Sequence, residues 1–278
     1  MEQRLKDKVV IITGGAGGIG SAASELFAQA GAAVVIADLN ESAGSALEEK
    51  IIAGGGKCRF VKCDVASGES VRNVIEVCKK EFGGLDVIYN NAGIYLANRD
   101  GRITDIEEDI WEKVIAVNLR SVFLFCKYGI PLLMERGGGS IINTASSAGM
   151  IGIPNCDAYT ATKGAIVQLT KSLAAEYGRY NIRTNCISPA AIMTPMVRES
   201  NPPDCDAFDE TAFLNLRTPL RRYGTPEEIG KIAIFLASDD ATYLNGAIIA
   251  ADGGITINGD LSKVKVRKAH FPRAAQLR

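Results

Sequence analysis

The stretch that decides the fold reads Val9-Val10-Ile11-Ile12-Thr13-Gly14-Gly15-Ala16-Gly17-Gly18-Ile19-Gly20. Its first part, Val9–Thr13, is a run of β-branched residues and predicts a buried strand. The glycines that follow predict a tight turn, because glycine adopts backbone conformations that other residues avoid. An amphipathic pattern over Ile19–Ala30 then predicts a helix. Strand, turn and helix in this order are typical of one unit of an α/β fold.

The same alternation continues along the chain. Short runs of continuous apolar character predict further strands, as expected when helices cover both faces of a parallel sheet: Ala33–Asp38, Arg59–Cys63, Val87–Asn90, Ser140–Thr144, Arg183–Ser188 and Ala247–Ala250. Amphipathic stretches between them predict helices over Ser42–Ala53, Gly68–Phe82, Ile110–Arg136, Ala158–Tyr180 and Pro226–Ser238. The chain is therefore predicted to form a doubly wound α/β domain with right-handed crossovers.

Composition excludes several classes of protein. The chain has 278 residues, of which 47% are apolar, which is enough for one large domain with a substantial core. It carries 31 Lys and Arg against 32 Asp and Glu, and this balance argues against a protein that binds nucleic acid by charge. His270 is the single histidine. A Ser-His-Asp hydrolase or a histidine-rich zinc site is therefore excluded unless the last residues fold back into a site.

The cysteines and the chain start indicate a compartment. The seven cysteines are odd in number and have no C-x-x-C spacing, so we interpret them as reduced thiols rather than as disulfides or metal ligands. The first residues carry charges throughout, unlike a signal peptide, and no apolar run approaches the length of a membrane span. We therefore expect a cytoplasmic protein that binds no metal and no membrane.

The glycine turn is a candidate phosphate site. Backbone N–H groups in such a turn, with the helix N-terminus behind them, can hold a pyrophosphate, although a glycine turn without a ligand is the alternative. Asp38 ends the second strand, where a carboxylate can accept both hydroxyls of an adenosine ribose and would repel a 2′-phosphate. Its alternative role is to cap the next helix. The absence of Lys and Arg from the turn and from Leu39–Asn40 favours NAD over NADP.

A tyrosine and a lysine lie four residues apart in Tyr159-Thr160-Ala161-Thr162-Lys163, on a predicted helix. Residues at this spacing share a helix face, so the ammonium can lie near the phenol. We expect it to favour the phenolate and to lower the pKa of Tyr159. Such a tyrosine can serve as a general acid and base without a histidine. Taken alone, this pattern is common and more often describes an inert surface pair.

Further motifs stand in order around this pair. Ser146 follows the strand Ser140–Thr144, Asn118 lies in an upstream helix, and Asn90-Asn91-Ala92-Gly93 follows the fourth strand. With these motifs the chain resembles the short-chain dehydrogenase/reductase family over residues 5–257. The resemblance implies one Rossmann domain over residues 1–258, with a seven-stranded parallel sheet and helices on both faces. A basic extension over residues 259–278 follows it.

The resemblance also implies a catalytic role for each matching residue. Ser146 would hydrogen-bond the substrate oxygen, and Tyr159 would give or take the proton while hydride moves to or from the nicotinamide. Lys163 would hold the nicotinamide ribose and lower the pKa of Tyr159. Asn118 would support a water chain that relays the proton.

The same resemblance implies a set of NAD-binding residues: Gly14, Gly17, Gly18, Ile19, Asp38, Leu39, Asp64, Val65, Asn91, Ala92, Gly93, Tyr159, Lys163, Pro189, Ile192 and Thr194. For Asp64, capping of the helix at Gly68 is the alternative role. One position departs from the family pattern, because Ala190 stands where the family has a glycine. If that position requires a positive φ, alanine would be strained there.

Residues 190–224 lack predicted strands, and a loop of this length in a compact domain is usually functional, so we interpret it as a substrate lid. The candidate substrate contacts are Ser146, Tyr159, Tyr95, Met150, Ile153, Met193 and Met196, with Ile94, Ala148, Cys156, Val197, Phe208, Phe213 and Leu216 as further lining. Most of them are apolar, which suggests a hydrophobic, cyclic secondary alcohol or its ketone: an alicyclic or aromatic diol, a terpenoid or a steroid-like molecule. Ordinary core packing is the alternative for any single one.

Other functions compete with this interpretation. A 3-oxoacyl-carrier-protein reductase would have the same catalytic residues, but it would place a basic residue beside the ribose, where this chain has Asp38. A sugar dehydrogenase would have a more polar lid. A non-catalytic, nucleotide-sensing scaffold on the same fold would not need Ser146, Tyr159 and Lys163 together.

Self-association is a further implication of the resemblance. Family members are usually homotetramers, and the helices Ile110–Arg136 and Pro226–Ser238 would lie at the interfaces with the last strand. From Lys263 onward the chain has six Lys or Arg and no acidic residue, which leaves a formal charge of −7 on residues 1–262. We interpret the basic extension as solvated, with the acidic surface of a neighbouring subunit as its alternative contact.

Overall fold

A parallel sheet organises the chain, whose computed structural model describes residues 3–97, 99–200, 214 and 218–257. The strands of this part lie in the order β3-β2-β1-β4-β5-β6-β7 and all pair in parallel. Their bounds are Val9–Thr13 (β1), Ala33–Asp38 (β2), Lys57–Lys62 (β3), Val87–Asn90 (β4), Gly139–Thr144 (β5), Ile182–Pro189 (β6) and Ile248–Ala251 (β7). The order reverses between β1 and β4, and ligands of such sheets bind at this switch point.

Helices cover both faces of the sheet. Their bounds are Gly18–Gln29 (α1), Glu41–Ala53 (α2), Gly68–Phe82 (α3), Glu108–Ile115 (α4), Ser121–Glu135 (α5), Asp157–Tyr177 (α6), Pro195–Ser200 (α7) and Pro226–Ala237 (α8). Helices α1 and α8 contribute to one apolar cluster, which contains Ile12 and Ile36 of the sheet. Helices α3, α5 and α6 contribute to the other cluster with Ile11 and Val35. The predicted doubly wound, seven-stranded fold is therefore confirmed.

The edge strands differ from the sequence-based expectation of continuous burial. Along β3 the side chains of Lys57, Arg59 and Lys62 are exposed while Cys58 and Val61 are buried. Exposed and buried residues are mixed along β3 because the strand pairs only with β2 at the edge of the sheet. In β7, the other edge strand, no residue is fully buried. The expectation holds for the central strands alone.

The helix predicted over Ile110–Arg136 is interrupted. A π-helical turn over Ala116–Arg120 separates α4 from α5, and it carries the fully buried Asn118. Hydrophobic periodicity does not reveal such a turn, since one extra residue per turn barely changes the apolar pattern. The next predicted helix, Ala158–Tyr180, also differs from the structure. Helix α6 ends at Tyr177, and a 3₁₀ turn over Gly178–Tyr180 follows it.

One helical stretch of the described residues, Glu108–Glu135, is long and apolar enough to cross a membrane by length and composition. Half of its most apolar window is buried inside the fold, against the sheet and neighbouring helices. A core helix of a globular domain passes the same test, so this feature is weak evidence for a membrane span.

The glycine turn after β1 has strict backbone requirements. Gly14 and Gly18 have φ values of 60° and 49°, which place them in the left-handed region that favours glycine. At Gly20 a β-carbon would lie 2.0 Å from the Gly14 carbonyl oxygen. At Gly17, by contrast, a β-carbon would meet no atom within 4 Å. The turn therefore tolerates a side chain at one glycine and excludes it at another.

We expect Gly20→Ala to lower the free energy of unfolding by about 3 kcal/mol, because the turn must open to admit the methyl group. Gly17→Ala is the matched control, and its cost should stay below about 1 kcal/mol as the loss of a glycine N-cap. Urea denaturation of the two variants measures the difference. Equal stability of Gly20→Ala and the wild type would contradict this account of the turn.

Candidate active site

A cavity of about 390 Å³ opens at the carboxyl ends of the central strands. Its walls come from the turn after β1, from the segments after β4, β5 and β6, and from α6 and α7. Of the predicted cofactor-binding residues, all except Asp64 line it: Gly14, Gly17, Gly18, Ile19, Asp38, Leu39, Val65, Asn91, Ala92, Gly93, Tyr159, Lys163, Pro189, Ile192 and Thr194. Residues far apart in sequence thus converge on one space, as the order of the motifs predicted.

Asp38 is bonded to the glycine turn rather than to the next helix. Its Oδ2 accepts a hydrogen bond from the N–H of Ala16 at 3.0 Å, and its Oδ1 accepts from Asn40 N–H at 2.9 Å. Helix α2 is capped by the side chain of Asn40 instead. Asp38 therefore does not serve as the cap of α2, which was its alternative role. Leu39, beside it, is 61% exposed.

Asp64 does not line the cavity, unlike Val65, which was predicted with it to contact the cofactor. Its side chain is exposed, and Oδ1 accepts a hydrogen bond from Ala66 N–H at 2.9 Å. The cap of α3 is Ser67, whose side chain accepts from Ser70 N–H, so Asp64 does not serve as that cap either. Cys63 and Val65 line the cavity on each side of it.

The segment after β4 is fixed to the glycine turn. The hydroxyl oxygen of Thr13 accepts hydrogen bonds from the N–H groups of Asn91 and Ala92, both at 2.9 Å. The amide of Asn91 donates in return to the Thr13 carbonyl at 3.1 Å. At Gly93 a β-carbon would lie 3.3 Å from Lys163 Nζ and 3.5 Å from Asn118 Oδ1. This close approach explains a glycine at position 93.

Asn118 holds the next residues of the same segment. Its Oδ1 accepts from Ile94 N–H at 2.8 Å, and its Nδ2 donates to the Ile94 carbonyl at 3.0 Å. The same amide donates to the Thr162 hydroxyl at 3.2 Å. The π turn thus presents a buried amide that joins the segment after β4 to α6.

Lys163 lies behind Tyr159, as their spacing on one helix predicts. The lysine is only 3% exposed, and its Nζ donates a hydrogen bond to the Thr144 carbonyl at the end of β5, at 2.9 Å. The same Nζ lies 5.5 Å from the centre of the Tyr159 ring. Ser146, two residues beyond β5, lies beside the phenol and lowers its pKa. Three of the predicted catalytic residues, Ser146, Tyr159 and Lys163, therefore line one end of the cavity, and Asn118 lies behind Gly93 without lining it.

The pKa values correct one sequence-based expectation. Burial raises the pKa of Tyr159 to about 12, and the hydrogen bond from Ser146 opposes this rise. Burial also lowers the pKa of Lys163 to about 8. The expectation that Lys163 lowers the pKa of Tyr159 is not met, because desolvation is the largest influence on the phenol and Lys163 is not among the groups that shift its pKa. Among the described residues, Ser146 has the largest effect in favour of the phenolate.

The segment after β6 resolves the question raised by Ala190. Ala190 is not among the non-glycine residues with positive φ, which in the described part of the chain are Asp7, Asn155, Asn181 and Arg221. Alanine is therefore unstrained at this position. Ile192 pairs with Gly224 in an isolated parallel bridge, which joins the two ends of the predicted lid.

The predicted substrate contacts divide into three groups. Ile94, Met196 and Val197 line the cavity with Ser146 and Tyr159, and the ring of Tyr95 lies 5.2 Å from that of Tyr159. The cavity lining does not include Ala148, Met150, Ile153, Cys156 or Met193, and Met150 is 42% exposed at the surface. Phe208, Phe213 and Leu216 fall outside the described residues.

Comparison with known proteins agrees with this geometry. A family model described as enoyl-(acyl carrier protein) reductase matches residues 14–256. A 2,5-dichloro-2,5-cyclohexadiene-1,4-diol dehydrogenase of Sphingobium indicum is 40% identical over 91% of this chain and 98% of its own length. The chain belongs to the short-chain dehydrogenase/reductase family. It is accordingly an oxidoreductase of a family that uses a nicotinamide cofactor.

Two other relatives extend the comparison within this family. A cyclohexanol dehydrogenase of Acinetobacter sp. strain SE19 is 38% identical over 92% of this chain and 98% of its own length. The crystal structure of levodione reductase superposes with a TM-score of 0.87, at 34% identity over 92% of this chain and all of the other. Nearly the whole chain is therefore accounted for by the family fold.

The structure adds site residues that the sequence did not indicate. The Thr144 carbonyl holds Lys163, and Ala145 and Val117 line the cavity. A backbone carbonyl leaves no trace in a sequence, and small apolar residues at a strand end are indistinguishable from core. Among the described residues, no group of three or more His, Cys, Asp or Glu side chains is placed to hold a metal ion.

We expect Ser146→Ala to raise the pKa of Tyr159 further, because the hydrogen bond that favours the phenolate is lost. A hydrogen bond to a charged group of this kind corresponds to a shift of about one pH unit. Ultraviolet difference titration, with Tyr159→Phe as the blank, isolates the phenol in question. A titration midpoint that is unchanged or lower in Ser146→Ala would contradict the assignment.

Proposed function

We propose that this member of the family interconverts a hydrophobic, cyclic secondary alcohol and its ketone with NAD(H). The observation that carries the proposal is that two hydroxyl groups, those of Ser146 and Tyr159, line one end of a cavity together with the apolar residues Ile94, Met196 and Val197. A carbinol or ketone oxygen needs such a pair of polar partners, while a ring needs the apolar surface beside it.

The residues of the cavity fit a dinucleotide. Gly17 leaves open space at the start of α1, and the positive φ values of Gly14 and Gly18 turn the backbone around that space. These glycines would hold the pyrophosphate, and Asp38 would hold the adenosine ribose. At the other end, Lys163 and Thr194 would hold the nicotinamide half. When bound, the cofactor supplies or accepts a hydride.

The chain itself handles the proton. In ketone reduction, the neutral phenol of Tyr159 donates its proton to the substrate oxygen as negative charge develops there. The raised pKa of Tyr159 keeps the phenol protonated for this step. Ser146 positions the same oxygen and later stabilises the phenolate. In alcohol oxidation the direction reverses, and Tyr159 accepts the proton.

The remaining catalytic positions support this pair. The buried ammonium of Lys163 stabilises the phenolate that forms, since the two groups share one face of α6. The side chain of Asn118 is engaged with Ile94 and Thr162. Its support of a proton-relaying water chain remains a prediction from the family resemblance.

Substrate class follows from the cavity and from the names of the relatives. Ile94, Met196 and Val197 offer an apolar surface beside the two hydroxyls. The named substrates of two relatives, a dichlorocyclohexadiene diol and cyclohexanol, are six-membered rings with secondary hydroxyls. Acidic residues in the predicted lid, at Asp204, Asp206, Asp209 and Glu210, would disfavour an anionic substrate.

A substrate panel tests this proposal. We expect cyclohexanol-type alcohols and diols to give a kcat/KM at least about tenfold above sugars and short acyl thioesters, because a mismatched polar group in an apolar site costs more than 1 kcal/mol. Purified enzyme with NAD(H) is the measured system. A preference for 3-oxoacyl thioesters would support the reductase alternative, and binding of NADH without turnover of any carbonyl would support the nucleotide-sensing scaffold.

Cofactor choice has its own prediction at Asp38. Removing the carboxylate removes its repulsion of a 2′-phosphate, so Asp38→Ala should lower the kcat/KM ratio of NAD to NADP by about tenfold or more. Asp38→Asn is the matched control for the bond to Ala16, since its amide oxygen can still accept from the turn. If both variants lower the ratio by the same factor, the negative charge of Asp38, and not its hydrogen bond from Ala16, determines the cofactor preference. An unchanged ratio in both would contradict ribose recognition by Asp38.

Assembly, compartment and lid complete the proposal. We propose a homotetramer with α5, α8 and β7 at its interfaces, which the 50% exposure of Phe123 on α5 supports.

The six described cysteines are free and buried, in keeping with a cytoplasmic location. Residues 190–224 form the proposed lid, since Met196 and Val197 of α7 line the cavity. The basic extension over 259–278 lies outside the described residues.

A further inference from the structure

The helix that carries Tyr159 begins without a cap of its own. Cys156 precedes α6, and its side chain accepts no hydrogen bond from the backbone N–H groups of the first turn. The first N–H groups of a helix have no partner within it, so they need an acceptor from elsewhere. Tyr159 is the third residue of α6, which places its backbone N–H in this first turn.

The acceptor comes from Asp100, a residue on the segment after β4 and far away in sequence. Its Oδ2 accepts a hydrogen bond from Tyr159 N–H at 2.9 Å, and its Oδ1 accepts from Ala158 N–H at 3.1 Å. Gly101 N–H donates to the same Oδ1 at 2.9 Å. The carboxylate is 7% exposed, which is uncommon for an aspartate unless its oxygens are fully engaged.

The same contact joins the two walls that flank the phenol. The segment that carries Asp100 also carries Ile94 and Tyr95, and the Tyr95 ring lies 5.2 Å from the Tyr159 ring. Asp157 of α6 makes two further hydrogen bonds to the same segment. Its N–H donates to the Gly101 carbonyl, and its Oδ2 accepts from Ile103 N–H. Of these two carboxylates, Asp100 alone bonds the backbone of Tyr159.

We infer that Asp100 is a positioning residue for proton transfer. By holding the backbone of Tyr159 at the start of α6, the carboxylate fixes the phenol relative to Ser146 and Lys163. The proton donor of a hydride-transfer enzyme must meet the substrate oxygen within hydrogen-bond reach, and small displacements cost large factors in rate. The negative charge of the Asp100 carboxylate also interacts favourably with the N-terminus of α6, where the helix dipole is positive.

Asp100→Ala tests the inference. We expect kcat to fall by about tenfold or more, because the first turn of α6 loses both bonds that locate Tyr159. The KM for the alcohol and the Kd for NADH should each change by less than about twofold, since the cavity walls that bind them remain. Asp100→Asn should give an intermediate kcat, because its amide retains one accepting oxygen. All rates are taken per folded protein, with folding checked by circular dichroism.

Asp157→Ala is the matched control, since it removes a carboxylate from the same junction without touching the backbone N–H of Tyr159. Its kcat should remain within about twofold of the wild type, even at a similar loss of thermal stability. Equal falls in kcat in Asp100→Ala and Asp157→Ala, or wild-type kcat in folded Asp100→Ala, would overturn the inference. If Asp100→Ala does not fold, Asp100→Asn decides in the same way, and its wild-type kcat would overturn the inference.

This inference rests on Tyr159 as the group that transfers the proton, and the two claims fail separately. Turnover retained by Tyr159→Phe would contradict the proposed function whatever Asp100 does. An inactive Tyr159→Phe beside a fully active Asp100→Ala would remove only the role of Asp100.

Discussion

The hydrogen bond from the buried Lys163 ammonium to the Thr144 carbonyl is the interaction on which the site depends. It joins α6 to the carboxyl end of β5, where the chain turns towards Ser146. A lysine so deeply buried pays a desolvation cost, which lowers its pKa to about 8. The fold tolerates this cost because the ammonium has a carbonyl partner and a tyrosine on the same helix face. Burial raises the pKa of that tyrosine to about 12, so the phenol and the ammonium differ more in acidity than the free side chains do.

Around this bond, backbone and amide groups set the geometry. Thr13 fixes Asn91 and Ala92, Asn118 fixes Ile94, and Asp100 fixes Tyr159. Each contact links the carboxyl end of one strand, or the segment after it, to another element. The proposed acid and base chemistry, in a chain with a single histidine, therefore depends on a polar frame at the switch point of the sheet.

The sequence predicts the bounds of the central strands more completely than the contacts within the site. The bounds of β1, β2 and β4 coincide with the prediction, because each has an uninterrupted run of apolar residues that ends at a polar residue. The sequence shows the charged residues Lys57, Arg59 and Lys62, but it does not show that they belong to a strand at the edge of the sheet. The π turn at Asn118 escapes prediction, since a one-residue insertion hardly alters helical periodicity. Asp100 escapes it as well, because its partners are backbone N–H groups that any residue would carry. The balance of pKa values depends on burial, and spacing along a helix does not report burial.

The central claim is that the Tyr159 phenol carries the proton while the remainder of the cavity binds the cofactor. The most direct measurement compares steady-state turnover of a cyclic alcohol with NADH binding, followed by protein-to-NADH energy transfer, in the wild type and Tyr159→Phe. The account predicts that the variant binds NADH with a Kd within about twofold of the wild type and loses turnover by a factor of about 10² to 10⁴. Wild-type turnover in Tyr159→Phe would contradict it.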